Sequence, residues 1–296
     1  NQKYYFLLDE YQYVKDGGQK LKLLYDTTEN IKFIITGSSS LEITEVSKYL
    51  VGRVFSFYLF PLNFYEFLNA KDTRLARIYR EEKNKVKDFL IDGKDIEIKD
   101  DIFVSDLTKH LIEYLIFGGY PEVAKTSNTE TKILVLKNIY DTYIGKDVEG
   151  LLRIKYDYKF RKLISMLSAQ TGGLVNYNEL ASSCESYYKE IIELLNVLEE
   201  TYVIRLLRPF YKNMKTELVK NPKVYFIDPG LRNYMINNFN DLDKRPDRGA
   251  LAENFVFISL FNITKDFYKI NYWRTLGKAE MDFVLNSEVP IEVKFS

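Results

Sequence analysis

Tyr4-Tyr5-Phe6-Leu7-Leu8 is a continuous apolar run that ends in two acids, Asp9-Glu10. Apolar residues without polar alternation predict a strand buried on both faces, as in parallel α/β sheets. A second such run, Ile31-Lys32-Phe33-Ile34-Ile35-Thr36, leads into Gly37-Ser38-Ser39-Ser40, a turn able to cap the following helix. That helix closes near Val51-Gly52-Arg53, and a third apolar strand is expected from Val54 to Phe60. Pro61 then opens helical spacing over Leu62 to Leu68. Strands alternating with helices argue for a parallel sheet over residues 1–70. A fold does not normally begin with its most buried strand. Here the first residue is Asn, and Pro290 to Ser296 stops within a strand pattern, so the chain reads as a fragment.

The remainder changes character. Residues 71–150 read as helical, with a charged, solvated stretch from Arg80 to Asp101. A helix over Leu107 to Phe117 is stopped by Gly118-Gly119-Tyr120-Pro121. From about 155 three short helices precede a strand, Tyr202 to Leu207, then a basic loop and a second strand, Val224 to Ile227. Helices followed by a β-hairpin are the winged-helix order, over 151–221. Residues 222–296 add a helix (Leu251 to Phe261) and strands over Lys269 to Arg274, Ala279 to Leu285 and Val289 to Phe295. With 296 residues, 46% of them apolar, the chain can bury the cores of two or three domains.

Composition then narrows the chemistry. Lys and Arg total 42 against 42 Asp and Glu, which excludes a protein that coats polyanions through a global basic excess. The single cysteine, Cys184, excludes a disulfide framework and a multi-cysteine metal site. It suits a reducing compartment, and a cytoplasmic location is expected. The single histidine, His110, excludes a histidine-rich metal site and disfavours Ser-His-Asp chemistry. His110 reads more simply as a surface or packed side chain, and Cys184 as a partly buried small residue. The longest uncharged apolar stretch, Val54 to Tyr65, contains Pro61 and is far shorter than the roughly 20 residues of a membrane span.

Four hydrophobic residues before Asp9-Glu10 form the Walker B arrangement. In it the Asp serves Mg²⁺ and the Glu polarises the water that attacks a γ-phosphate. Taken alone, the same residues read more simply as a strand ending in a solvated acidic turn. Thr36 or Ser38, at the end of the next strand, would lie beside these acids and could orient the same water. Arg53, after a helix and a glycine, could reach a phosphate across a subunit boundary, which implies a homo-oligomer, or could form a surface salt bridge.

Phe6 to Gln12, Ile34 to Ser40, Leu50 to Arg53 and Phe60-Pro61-Leu62-Asn63-Phe64-Tyr65-Glu66-Phe67-Leu68 together resemble the AAA-type ATPases common in archaea and bacteria. Gly119-Tyr120-Pro121-Glu122 resembles that family's lid motif, which implies that Pro121 packs near the nucleotide base. Tyr225 to Leu231 and Tyr272 to Thr275 resemble its C-terminal domain. The resemblance runs nearly the length of the chain and implies an α/β fold of four parts. These are an incomplete P-loop ATPase domain (1–70), a helical lid (71–150), a winged helix (151–221) and a PD-(D/E)xK nuclease-like domain (222–296). It implies ATP and Mg²⁺ as cofactors. One departure is large. The P-loop pattern G-x-x-x-x-G-K-[ST] does not occur in these residues. Gly93-Lys94, Gly145-Lys146 and Gly277-Lys278 all lack the following hydroxyl. The chain as written is not expected to bind ATP tightly.

Two further sets carry chemistry. Arg205, Arg208, Lys212, Lys215, Lys220 and Lys223 surround a single acid, Glu217, where a wing would track DNA phosphates. The helix before them, Tyr187 to Glu200, carries Glu190, Glu193, Glu199 and Glu200, which argues against deep insertion into a major groove. A protein-binding winged helix fits the same residues. At the C terminus, strand alternation puts Asp282, Glu292 and Lys294 on one face. Two carboxylates can hold Mg²⁺ while a lysine activates water, and Glu253 on the preceding helix matches the acidic helix position of PD-(D/E)xK nucleases. Three readings stand side by side: an ATPase acting on or near DNA, a Mg²⁺-dependent nuclease gated by that ATPase, and a non-catalytic binding module.

Overall fold

The computed structural model describes residues 2–37, 46–97, 102–143, 158–211, 213, 217, 220–264, 268–275, 277 and 279–295. Strand β1 (Tyr4–Leu8) pairs in parallel with β2 (Ile31–Ile35), from Tyr4 opposite Ile31 to Leu8 opposite Ile35. Helix α1 (Gly17–Thr27) connects them, giving one βαβ unit. Leu21, Tyr11 and Leu50 form its small core against Leu8, Phe33 and Ile35.

Two expectations fail here. The first strand is not buried on both faces: Leu7 is 73% exposed, and Tyr4, Tyr5 and Phe6 are exposed as well. The third strand does not form. Residues 54–60 belong to no strand, with Phe55 89% and Leu59 100% exposed. A strand exists only where a second backbone takes up its N–H and C=O groups. Among the described residues the only sheet at this end is the β1–β2 pair.

A helical layer follows. Helix α2 (Phe64–Lys71) begins with a capping box, in which Asn63 accepts from the Glu66 amide and Glu66 accepts from the Asn63 amide. Asp72 caps α3 (Thr73–Asp92), which ends at Gly93 in the left-handed conformation (φ 64°). The charged stretch expected from Arg80 onward as a solvated insertion is thus, as far as Asp92, the outer part of a 20-residue helix. Helices α4 (Val104–Phe117), α5 (Pro121–Lys125) and α6 (Thr129–Ile139) complete the layer. Phe64, Phe67, Leu68, Leu75 and Tyr114 form its core, and Phe255 of a later helix packs edge-on to Phe64 at 5.6 Å.

Three helices, α7 (Tyr158–Ala169), α8 (Tyr177–Ser183) and α9 (Tyr188–Glu200), then pack around Leu163, Leu167, Leu195 and Leu198. An antiparallel hairpin closes them, with β3 (Ile204–Leu207) against β4 (Lys223–Phe226) and Leu174 bridging to Lys223. Helix α10 (Pro229–Met235) and the long α11 (Arg248–Thr264) lead to an antiparallel sheet of β5 (Ile270–Arg274), β6 (Glu280–Leu285) and β7 (Val289–Ile291). Arg208 to Phe210 runs alongside β5, since the Phe210 amide donates to the Tyr272 carbonyl and the Tyr272 amide to the Arg208 carbonyl. The hairpin and the C-terminal sheet therefore share a seam. The last strand stops at Ile291 and not at Phe295, because the Val293 amide donates to the Asp282 side chain (2.8 Å) and leaves the ladder. Among the described residues no helix is long and apolar enough to cross a membrane.

Candidate functional site

Parallel register brings the carboxyl ends of β1 and β2 level, so Asp9 and Thr36 emerge side by side. The Thr36 amide donates to the Leu8 carbonyl (2.9 Å), and the Tyr11 amide donates to the Thr36 carbonyl (3.1 Å). The Thr36 hydroxyl then donates to Asp9 Oδ1. Glu10 follows in the left-handed region (φ 50°), which ends the strand at that residue. Asp9, Glu10 and Thr36 are all exposed at this edge, the side where α/β sheets present ligands. Ser38 lies outside the described residues.

Arg53 is placed elsewhere. Its guanidinium pairs with Asp26 Oδ1 at 2.6 Å and lies over the Tyr25 ring, near the end of α1. In a βαβ unit the helix runs opposite to the strands, so this is the end away from Asp9. Pro121 occupies the exposed first turn of α5, preceded by a turn that serves as a joint. The Gly119 amide donates to Asp228 Oδ2 (2.7 Å), and the Leu62 amide donates to the Gly119 carbonyl (2.8 Å). A Cβ on Gly119 would overlap the Leu62 carbonyl, and one on Gly230 would overlap the Phe117 carbonyl. The turn resembling a lid motif and the Asp228-Pro229-Gly230 turn are thus one interlocked contact. Asp228, only 3% exposed, also accepts from the Leu231 amide. Burial pushes its carboxyl up to about 6 against the pull of those amides.

A second polar centre forms around Lys223 at the start of β4. Its ammonium lies 2.6 Å from Glu280 Oε1, 3.0 Å from Glu253 Oε1 and 3.7 Å from Asp282 Oδ1. The Tyr225 hydroxyl also donates to Glu253 Oε1 (2.5 Å). Burial raises the Glu253 carboxyl, and the ammonium beside it opposes the rise. Burial works against the Lys223 charge, but Glu253 and Glu280 outweigh it and hold the ammonium above its usual range.

This centre corrects two expectations. Lys223 was expected in a solvent-facing basic patch, yet its side chain is 4% exposed and committed to three carboxylates. The carboxylates expected to share a metal, Glu253, Asp282 and Glu292, are not gathered around a vacant position. Glu292 pairs with Lys294 at the exposed end of the chain, and Asp282 is engaged by Lys223 and the Val293 amide. Among the described residues no group of three His, Cys, Asp or Glu side chains is arranged to hold a metal ion. The rest of the basic set is dispersed. Arg205 lies over the Tyr202 and Phe261 rings at 4.9 and 5.3 Å, Arg208 is half-buried, and Lys220 is exposed. Lys212 and Lys215 lie outside the described residues.

Sequence reasoning passed over the hub that holds this half together. Arg232 is 1% exposed and donates from Nε to the Ser168 carbonyl (2.7 Å) and from Nη1 to Asp247 Oδ2 (2.5 Å). Arg245 pairs with the same carboxylate at 2.8 Å, and Asn233 donates to the Leu115 and Ile116 carbonyls at 2.9 Å. Although burial acts to raise the Asp247 carboxyl, bonds and charge from the two arginines hold it far below the usual range. Asp before Pro is an N-cap followed by the first helical position, and that much was a legible signal.

Residues 1–68 match a family model described as an AAA domain. The N-terminal unit is similar to AAA domains. Residues 108–242 and 248–296 match two families described as domains of unknown function, DUF8612 and DUF4143. An uncharacterized protein of Haemophilus influenzae is 26% identical over 289 residues, 96% of this chain and 63% of that protein. One of Methanocaldococcus jannaschii is 28% identical over 295 residues, 97% of this chain and 59% of the relative. A third, from Mycobacterium tuberculosis, is 28% identical over 168 residues, 56% of this chain and 38% of its own length. The chain thus spans less than two thirds of the length of these relatives. No solved structure matches it.

Proposed function

We propose that this protein is an AAA-type ATPase in which Asp9, Glu10 and Thr36 form the acidic edge of the nucleotide site. The reading rests on the Thr36 hydroxyl donating to the Asp9 carboxylate at the carboxyl end of a parallel strand pair. An exposed carboxylate oriented by a neighbouring hydroxyl fits a hydrated Mg²⁺, which when bound neutralises phosphate oxygens. Asp9 would hold the ion, Thr36 would fix the angle of that carboxylate, and Glu10 would take the proton of the attacking water. The glycine-lysine phosphate cradle does not occur in these residues, so the activity is proposed for the protein as its source makes it. Arg53 would act on a neighbouring copy in a homo-oligomer. Releasing it from the half-exposed Asp26 pair costs only about 0.2–1 kcal/mol. The test is ATP turnover by the protein from its native source. Glu10→Gln is expected to keep nucleotide binding and lose turnover by at least roughly 100-fold. Unchanged turnover would refute the role.

A role on DNA draws on a different observation, the order of three helices and a hairpin over 158–226. We read this unit as a winged helix in which Lys220 is the exposed phosphate contact among the described residues of the basic set. With Lys223 buried, binding is expected to be weak and salt-sensitive. Lys220→Ala should lower the slope of log affinity against log salt by about 1. No binding to duplex DNA at low salt would leave a protein partner for this unit.

A further inference from the structure

We infer that Lys223 takes the place of a divalent cation in the C-terminal carboxylate site, so that this unit binds no metal while the lysine is there. The site is lined by Glu253 from α11 and by Glu280 and Asp282 from β6, and two of these, Glu253 and Asp282, belong to the set expected to share an ion. The ammonium already fills it, 2.6 to 3.0 Å from two of the carboxylates and 3.7 Å from the third. Mg²⁺ needs oxygens at about 2.0–2.1 Å in near-octahedral array. An ion at that distance would sit against a buried ammonium of like sign, in surroundings where water screens little. Other polar groups engage the same three carboxylates. Tyr225 donates to the same Glu253 oxygen as Lys223, the Val293 amide donates to Asp282 Oδ2, and Arg274 Nε lies 3.6 Å from Glu280 Oε2. Glu292 and Lys294, which a catalytic reading needs at this centre, instead pair with each other at the solvent edge.

The arrangement also has a structural consequence. Lys223 belongs to the hairpin, while its three partners belong to the helix and sheet that follow. Its charge therefore fastens β4 to α11 and β6 at the point where a metal would otherwise have joined α11 and β6 alone. Around one ammonium stand three carboxylates, so removing it leaves an acidic pocket in which only Arg274, beside Glu280, offsets the charge, and that excess gives it cation-binding capacity.

Terbium(III) tests this, because Trp273, the single tryptophan, lies on β5 opposite Met281 and can sensitise an ion bound at the neighbouring carboxylates. In the unsubstituted chain, tryptophan-sensitised emission that Asp282→Asn removes is expected to be absent. Lys223→Met keeps the aliphatic stem and removes the charge. It is expected to create Asp282-dependent emission with affinity at least roughly tenfold tighter than the unsubstituted chain. Manganese(II) titrated by calorimetry should rank the two proteins in the same order. Asp282-dependent binding of either ion to the unsubstituted chain, as tight as to the variant, would overturn the inference. So would a folded Lys223→Met protein that binds neither ion. Should Lys223→Met prove unfolded by circular dichroism, Lys223→Met combined with Glu280→Gln relieves one excess charge and answers the same question. The unsubstituted chain against Asp282→Asn decides the first half without either variant.

Discussion

Asp228 offers a quantitative check on the joint between the helical layer and the C-terminal half. Its carboxylate is buried, with no cation paired to it among the described residues, and is held by the Gly119 and Leu231 amides. Burial raises the folded-state value to about 6, against 3.8 for the free side chain. A raised carboxyl means the folded state holds a proton that the unfolded state has already lost, across the window between those two values. Stability contributed by this group is therefore greatest below the lower value, falls as pH rises through the window, and is flat above about 6. At 1.36 kcal/mol per unit the full span is about 3 kcal/mol, of which about 2 kcal/mol is regained on acidifying from pH 7.5 to 4.5. Asp247 acts in the opposite sense, because its lowered carboxyl withdraws stability only as pH falls below the ordinary aspartate range. The measurement is the urea or thermal midpoint, followed by Trp273 fluorescence, for the unsubstituted chain and Asp228→Asn at pH 7.5, 6 and 4.5. The asparagine variant cannot titrate. The difference between the two proteins should widen in favour of the unsubstituted chain on acidification, by roughly 3–4 °C in midpoint. Parallel pH curves for the two proteins would refute the assignment.

Two packing predictions accompany it. Gly230→Ala places a methyl group against the Phe117 carbonyl and the Gly118 amide, neither of which can rotate away. It should cost about 1–3 kcal/mol in urea denaturation, and a neutral result would mean that the two turns are not in contact. Arg232→Lys keeps the charge but cannot serve the Ser168 carbonyl, Asn233 and Asp247 together, and should cost about 1–3 kcal/mol. A loss under about 0.5 kcal/mol, the usual scale of surface changes, would show that Arg245 alone satisfies Asp247.

What the sequence made legible were features set by neighbours along the chain. The capping box of Asn63 and Glu66, the stop at Gly118-Gly119 and the succession of helices before the β3–β4 hairpin all follow from local chemistry. The Asp9–Thr36 pair was legible for a related reason, since two parallel strands with matched ends leave little freedom at their carboxyl edge. The failures concern what lies across from a segment. Val54 to Phe60 has the apolar content of a strand, but content does not supply the second backbone. Strand alternation put Asp282 on one face with Glu292 and Lys294. It could not say that Lys223, 30 residues before Glu253, would enter that face from another sheet. A basic residue among basic residues reads as solvent-facing, and only the tertiary pairing of hairpin and helix reveals otherwise.

The buried Asp228 carboxylate and the buried Lys223 ammonium follow one logic. Each sits where segments from different parts of the chain converge, and each answers groups that a neutral side chain would leave unmet. At Asp228 the amides of Gly119 and Leu231 need two acceptor oxygens at once, and asparagine offers only one. At Lys223 three carboxylates need a cation, whether an ammonium or a metal. In both places the desolvation of a charge is exchanged for a contact between segments more than 25 residues apart. With Phe255 of α11 inserted among Phe64 and Tyr114, these contacts tie residues from Leu62 to the C-terminal sheet into one continuous body. The N-terminal βαβ unit is joined differently. The segment leading from it reaches that body through Tyr58 and Phe60 against Tyr202, and through Phe60 against Phe261, after an exposed stretch at Phe55 to Phe57. These aromatic contacts bring the segment that follows the N-terminal unit against the hairpin and α11. Tyr202 is the residue at which they meet Arg205 and the hairpin.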